Sequence, residues 1–394
     1  IYDTGSGKSY KGEPTTNLQA SGSAGVHSSA SGNAVSVTDA SAEKGPGWKK
    51  VTITARGTNF RTLQFTYTSM AANTMYCHSA VFDWGNMKDK GYLIYFDGNG
   101  TGTRAYYRPG DYVNTGSGSI NSTMPDGKFA GTITHTSSHN HAFFIRNYST
   151  GVSGLNDFFY YKDYQVEINS HPTQFTSGTR SATQGLIDRT GTSTIDISNA
   201  SFDSNAQMTF DGTDDYITLG SNSTLQAIGS NATIECWFKS SNTSSKFALM
   251  VGWGEGNSYY SSFGIGNWFS AWPDESIHVG VNSAAVVYAE RDGSAKYHDG
   301  NWHHVVGLIG QNNHKIFVDG SEVSVSFAYG SDSVSTSNIF GFSSGTEVFI
   351  GARPYGSGSG HFQGDLPSVK IYNRLLTAAE VLQNYNATKS RFGL

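Results

Sequence analysis

Short runs of alternating β-branched and aromatic residues recur along most of this chain, each closed by a turn rich in Gly, Asn or Asp. In a strand, successive side chains face opposite sides, so such runs pair into sheets with one face buried. Between residues 48 and 168 the runs are KKVTITARG, TLQFTYTSM, KGYLIYFDG, TRAYYRPG, KFAGTITH, HAFFIRNY and FFYYKDYQVEIN. After residue 183 they include AQMTFDG, DYITLG, ATIECWFKS, KFALMVGWG, IHVGV, AVVYAERDG, NWHHVVGLIG, HKIFVDG, EVFIGARP and SVKIYNRLL. The pattern predicts an all-β chain of two β-sandwich, jelly-roll-like domains.

Composition agrees. Charged residues are 14%, against about 25% in an average chain. Gly is abundant at 47, and Tyr and Phe number 22 and 23, so aromatics and β-branched residues must build the cores. A length of 394 residues calls for more than one domain. The predicted organisation is an extended Gly/Ser-rich arm over 1–47, a β-sandwich over 48–168, a polar connector over 169–182 and a second sandwich over 183–394. The arm lacks any sustained period and is expected as an extended segment with a few short strands; as an ordered segment it lies on this protein's own sandwich or, as its extended reach favours, on a neighbouring copy of the chain. HKIFVDGSEVSVS reads as a hairpin turning at Asp319-Gly320. One helix is expected near 377–388, where Thr377 and Glu380 form a capping box and Val381, Leu382 and Tyr385 share a face.

Several function classes are disfavoured. A net charge of −5 without a basic cluster does not suit nucleic acid. No apolar run approaches the ~20 residues that span a bilayer, so no membrane partner is expected. The chain begins at Ile1 with no visible signal peptide, so an upstream segment is expected. Cys77 and Cys236 fall in different predicted domains and are expected as buried free thiols.

Three local features carry candidate chemistry. In GNWHHVVGLIG (300–310), His303 and His304 are adjacent. On a strand they diverge, so they are read as wall residues rather than a metal pair. In FDGTDDY, Asp211, Asp214 and Asp215 crowd a turn; they offer oxygens to Ca²⁺ or hydrogen-bond local amides. In GWGEGNSYYSSFGIGNWFSAWPDESIHVG (252–280), Trp253, Tyr259, Tyr260, Trp268, Phe269 and Trp272 sit among Gly, Ser and Asn. Strand alternation cannot bury all six, so they are candidates for stacking on sugar rings or for a subunit interface.

The stretches FDGTDDYITLG, ATIECWFKS, GNWHHVVGLIG, KIFVDG, FIGARP and FQGDLPSVKIYNRLLTAAEVLQNYNATKSRFGL, in this order, resemble the laminin G-like, concanavalin A-like lectin/glucanase superfamily. The resemblance covers residues 183–394 and implies two curved antiparallel sheets. The TLQFTYTSM region resembles carbohydrate-binding sandwich modules in architecture. GEPTTNL and YNATKSRFGL resemble stretches of tailed-bacteriophage structural proteins. Glycoside hydrolases of the superfamily carry a Glu-x-Asp-x-x-Glu strand, which is missing here, as are a Gly-x-Ser-x-Gly elbow and a His-Glu-x-x-His helix. The expected function is therefore non-enzymatic. It is that of a virion-surface, tail-fibre or capsid-decoration protein, extracellular and homo-oligomeric. Its expected partners are copies of itself, other virion proteins and host polysaccharide. A secreted or cell-surface adhesin, or a glycoside hydrolase, is the alternative.

Overall fold

In a computed structural model of the protein, the described residues are 2–18, 25–26, 34–55, 61–88, 90, 92–98, 105–109, 122–124, 126–134, 139–147, 154–203, 207–241, 247–255, 259–266, 276–281, 285–289, 297–329, 339–340, 346–352 and 360–394. The chain divides into a smaller unit, Thr15–Arg180, and a larger unit formed by Ile1–Pro14 with Ser181–Leu394. Both are built of antiparallel sheet, with one parallel pairing in the smaller unit.

In the smaller unit, one sheet runs in the order Gly127–Thr134, Met75–Asp83, Phe158–Glu167, Lys49–Ala55, Ala34–Asp39. A second, six-stranded sheet includes Arg61–Met70, Tyr92–Gly98 and His139–Asn147. Alternation sets the burial. Phe159 and Tyr161 join Val51, Phe82 and Trp84 in the core, while Phe158 and Lys162 take the other face. Trp84 stacks on Phe82 with ring centroids 4.8 Å apart. The Met75–Asp83 strand was not among the predicted runs, because MYCHSAVFD lacks a β-branched cluster. It lies between two neighbours and is buried by its place in the sheet.

Short strands run through the expected arm. Ala34–Asp39 pairs with Lys49–Ala55, and Thr15–Thr16 pairs with Thr179–Arg180. Residues 2–3 add a short strand to the larger unit, with Tyr2 opposite Val369. Tyr2 is 1% exposed in that unit's core, and its hydroxyl donates to the Leu366 carbonyl at 2.8 Å. One aromatic in register, with backbone pairing, anchors a segment whose composition reads as unstructured. The expected connector also belongs to the smaller unit as far as Arg180. There Arg180 donates to the Gln174 carbonyl, and Thr173 donates to the buried Glu167.

The larger unit has two eight-stranded sheets. The first runs Ser201–Phe202, Met208–Asp211, Gln363–Tyr372, Ala232–Lys239, Trp302–Ile309, Lys315–Val318, Ser321–Val323, with Tyr2–Asp3 also on Gln363–Tyr372. The second includes Tyr216–Ser221, Glu347–Ile350, Phe247–Glu255, Tyr259–Gly266 and Ile277–Val281. Ile234, Cys236, Phe238 and Val305 of the first sheet share a core with Met250, Phe263, Val279 and Ile350 of the second. Gly307 has a packing reason: a Cβ there would sit 2.8 Å from the Phe263 ring.

The hairpin turns at Asp319 and Gly320, with φ of 50° and 82°, the left-handed pair of a tight hairpin. The C-terminal helix spans Ala378–Thr388 and carries the expected Thr377/Glu380 capping box. It covers the outer face of the first sheet, where Val306, Leu308, Phe317, Leu376 and Val381 cluster. Leu382, expected on the packed face, is 47% exposed. Cys77 and Cys236 are buried free thiols in different units.

Candidate functional site

Cross-strand register builds the first part of a site on the larger unit. Lys239 pairs with Trp302 on one side and Asp365 on the other. Three neighbouring strands thus present the row Asp365–Lys239–Trp302. Trp302 shares its face with His304, Val306 and Leu308 by alternation, which is the face the helix covers further along. Just past the helix, the turn Lys389–Phe392 brings Phe392 onto Trp237 at 4.2 Å and Trp302 at 4.7 Å between ring centroids.

The N-terminal residues close the other side. Thr4 donates its backbone N–H and its hydroxyl to the Pro367 carbonyl, at 2.8 and 3.1 Å. Arg391 pairs with Asp3, and its guanidinium lies against Gly5, where a Cβ would fall 2.0 Å from Cζ. The resulting cleft encloses about 310 Å³. Tyr10, Gln207, Trp302, Asp365, Arg391 and Phe392 are among its walls. Aromatic rings beside a carboxylate, a guanidinium and an amide suit a ligand with an apolar face and many hydroxyls. Burial raises the Asp365 carboxyl, Lys239 opposes that, and the charge of Asp203 adds to it; the net shift is upward.

Of the predicted aromatic set, Trp253 does not line this cleft. Trp253 is 0% exposed, its Nε1–H donates to the Ile339 carbonyl at 2.8 Å, and its ring packs on Phe340. It is a core residue, because its strand is central in the second sheet. Tyr259 and Tyr260 lie on a strand, opposite Glu255 and Gly254. Trp268, Phe269 and Trp272 lie outside the described residues. Sequence reasoning missed the cleft. Its one local signal is Trp302 at the first strand position after the Gly300 turn, the least enclosed place on that strand.

The two histidines diverge as expected. His303 faces the core side, between Phe238 and Tyr297, with Nδ1 3.0 Å from Asp319 and Nε2 3.2 Å from Asp299. Burial pulls its pKa down, but the Asp319 hydrogen bond and both carboxylate charges outweigh that and raise it. His304 takes the outer face, where its Nε2 is 3.2 Å from Glu235. Glu235 accepts from Lys370 at 2.5 Å, Tyr372 at 3.0 Å and Asn384 at 2.7 Å. Burial raises the Glu235 carboxyl, yet His304 and Lys370 bring it down to about 2. This network lies under the helix that supplies Asn384.

The carboxylates of Asp211, Asp214 and Asp215 converge within 4.8 Å. Asp211 Oδ1 accepts the N–H groups of Thr213 and Asp214, and Asp215 accepts from Ser201 and from the Asp211 N–H. The Thr213 bond leads in lowering Asp211, while burial leads in raising Asp215. Ca²⁺ takes six to eight oxygens, and here the local backbone already claims part of this set.

Two packed antiparallel sheets, a terminal helix on the outer face and a mixed aromatic–polar cleft make up this sandwich domain. Residues 211–382 match the concanavalin A-like lectin/glucanases superfamily, in its Laminin_G_3 family. Comparison with curated proteins finds no match. Among solved structures the chain is similar to the heptameric SAP-like pentraxin of Limulus polyphemus, with 16% identity over 44% of this chain and 78% of that one and a TM-score of 0.31. It is also similar to domain 4 of AbnA, a GH43 extracellular arabinanase of Geobacillus stearothermophilus in complex with arabinotriose, with 13% identity, coverage of 48% and 80%, and a TM-score of 0.31. The CBM40 of the Ruminococcus gnavus IT-sialidase matches with 17% identity, coverage of 41% and 86%, and a TM-score of 0.27. These are distant likenesses of fold.

Proposed function

We propose that the larger unit is a non-catalytic carbohydrate-binding domain, carried by a virion-surface or fibre protein that assembles with copies of itself and binds host polysaccharide. The observation that carries the binding reading is the cleft itself. Trp302 and Phe392 supply ring surface, while Asp365, Arg391 and Gln207 supply fixed polar groups around one small concavity. The virion setting and self-assembly are supported by the sequence resemblance of GEPTTNL and YNATKSRFGL.

Hydrolysis is the competing reading. The half-buried Asp365, held up by burial and by Asp203, is the kind of carboxyl that donates a proton to a leaving group. An array of immobilised polysaccharides, probed with the whole chain, separates the readings. Retention that Trp302→Ala weakens at least about tenfold, without release of reducing ends, is the expected result. Turnover lost in Asp365→Asn would establish hydrolysis, and a blank array would sink the binding reading.

A further inference from the structure

We infer that this cleft selects an uncharged, polyhydroxylated sugar ring over an acidic one, and holds it without a divalent cation; the inference rests on the glycan-binding reading above.

Charge placement is the first argument. Among the described residues Arg391 is the cation lining the cleft, and its charge is paired. Asp3 pairs with its Nη1, the backbone of Gly5 lies against its plane, and its Cζ is 5.1 Å from the Phe392 ring centroid. Lys239 stands in the row between Asp365 and Trp302, its Nζ 5.8 Å from the Trp302 ring centroid, and its charge is set against Asp365. Asp203 adds a further negative charge near Asp365. A sugar carboxylate or sulfate would meet Asp365 directly, in surroundings where the carboxylates Asp3, Asp203 and Asp365 outnumber the cations Arg391 and Lys239, each of which already faces one of them. A neutral ring meets neither penalty. An ionised carboxylate accepts two hydroxyls at once, and a guanidinium has five N–H donors, of which the Asp3 pair uses a part. Asp365 therefore suits a pair of neighbouring hydroxyls, with Arg391 and the Gln207 amide on the remaining oxygens and the rings on the C–H face.

The second argument concerns metal. The convergent carboxylates Asp211, Asp214 and Asp215 do not line the cleft. The polar groups that do line it act as acceptor and donors for hydroxyls without a bridging ion. The volume lies at the low end of ligand pockets, roughly 300–1,000 Å³, which suits a short piece of a chain.

The test is calorimetric titration of the whole chain. Neutral probes are oligosaccharides of dextran, laminarin and xylan; acidic probes are those of polygalacturonate and alginate. Each is run with EDTA and with added Ca²⁺. Expected is binding of a neutral probe, unchanged by EDTA, about tenfold weaker in Asp365→Asn and in Arg391→Gln, and unchanged in Asp214→Asn. Thermal midpoints of the variants confirm folding, and Arg391→Gln, being at the surface, guards against a misfolded Asp365 variant. Binding of acidic probes alone, or loss with EDTA, would overturn the inference while leaving a glycan site that Trp302→Ala still abolishes. Binding that no cleft variant weakens, or no binding of any probe, would remove the glycan-binding reading and the inference with it.

Discussion

The Glu235 carboxylate lies 3.2 Å from Nε2 of His304 on the outer face of the first sheet, and the two residues are 1% and 0% exposed. With Lys370, Tyr372 and Asn384 on the same carboxylate, the pair fixes the sheet to the helix above it. The buried Glu235 holds the Lys370 ammonium at 2.5 Å, and taking away one partner of such an ion pair costs about 3–5 kcal/mol. Glu235→Ala is expected to destabilise the larger unit by that order in urea unfolding. A loss under about 1 kcal/mol would show the network to be dispensable.

The same carboxylate sets an acid limit. Its folded pKa is depressed from 4.5 to about 2, so its contribution is present above 4.5 and lost as pH falls toward 2. The size is roughly 3 kcal/mol. Stability measured from pH 6 to pH 2 should fall less steeply in Glu235→Gln than in the parent chain.

His303 has the opposite sign. Its folded pKa is raised, so its contribution is complete below about 6.5, the unfolded value, and fades as pH rises through the folded value. With a carboxylate at each ring nitrogen, the doubly protonated ring donates both ways. NMR titration should place His303 above an unperturbed imidazole. A value below it would refute the two-carboxylate clamp.

Tyr2 ties the chain's start into the core. Removing a buried aromatic ring costs about 3–5 kcal/mol, so Tyr2→Ala should lower the unfolding midpoint well beyond Tyr2→Phe. The Phe variant loses only the bond to the Leu366 carbonyl, about 1 kcal/mol. Deleting residues 1–6 should destabilise the larger unit and abolish glycan binding together. Full stability after deletion would show that this segment is ornamental.

The helix cap offers a smaller, local change. Thr377 accepts the Glu380 N–H, and Glu380 returns the bond to the Thr377 N–H at 2.8 Å. Thr377→Ala should cost about 1 kcal/mol in urea unfolding. An effect near zero would mean that packing alone sets the helix start.

Much of the fold was legible because it is written locally. Alternation along ATIECWFK and WHHVVGLI fixed which side chains face the core, and with that the divergence of His303 and His304. Asp319-Gly320 announced its hairpin, and Thr377 with Glu380 its helix, since both signals are complete within a few residues. Tertiary structure decided what depends on register between distant strands. The Met75–Asp83 strand is buried by its neighbours rather than by its own pattern, and Trp253 is enclosed because its strand is central. The cleft joins Thr4, Gln207, Trp302, Asp365 and Arg391, residues with no common local motif. They meet only because antiparallel pairing aligns Asp365, Lys239 and Trp302 across three strands and because Tyr2–Asp3 pairs on the same sheet and Asp3 holds Arg391. Local pattern specifies which way a side chain points; which distant side chains it meets is set by the free energy of burying the whole sheet.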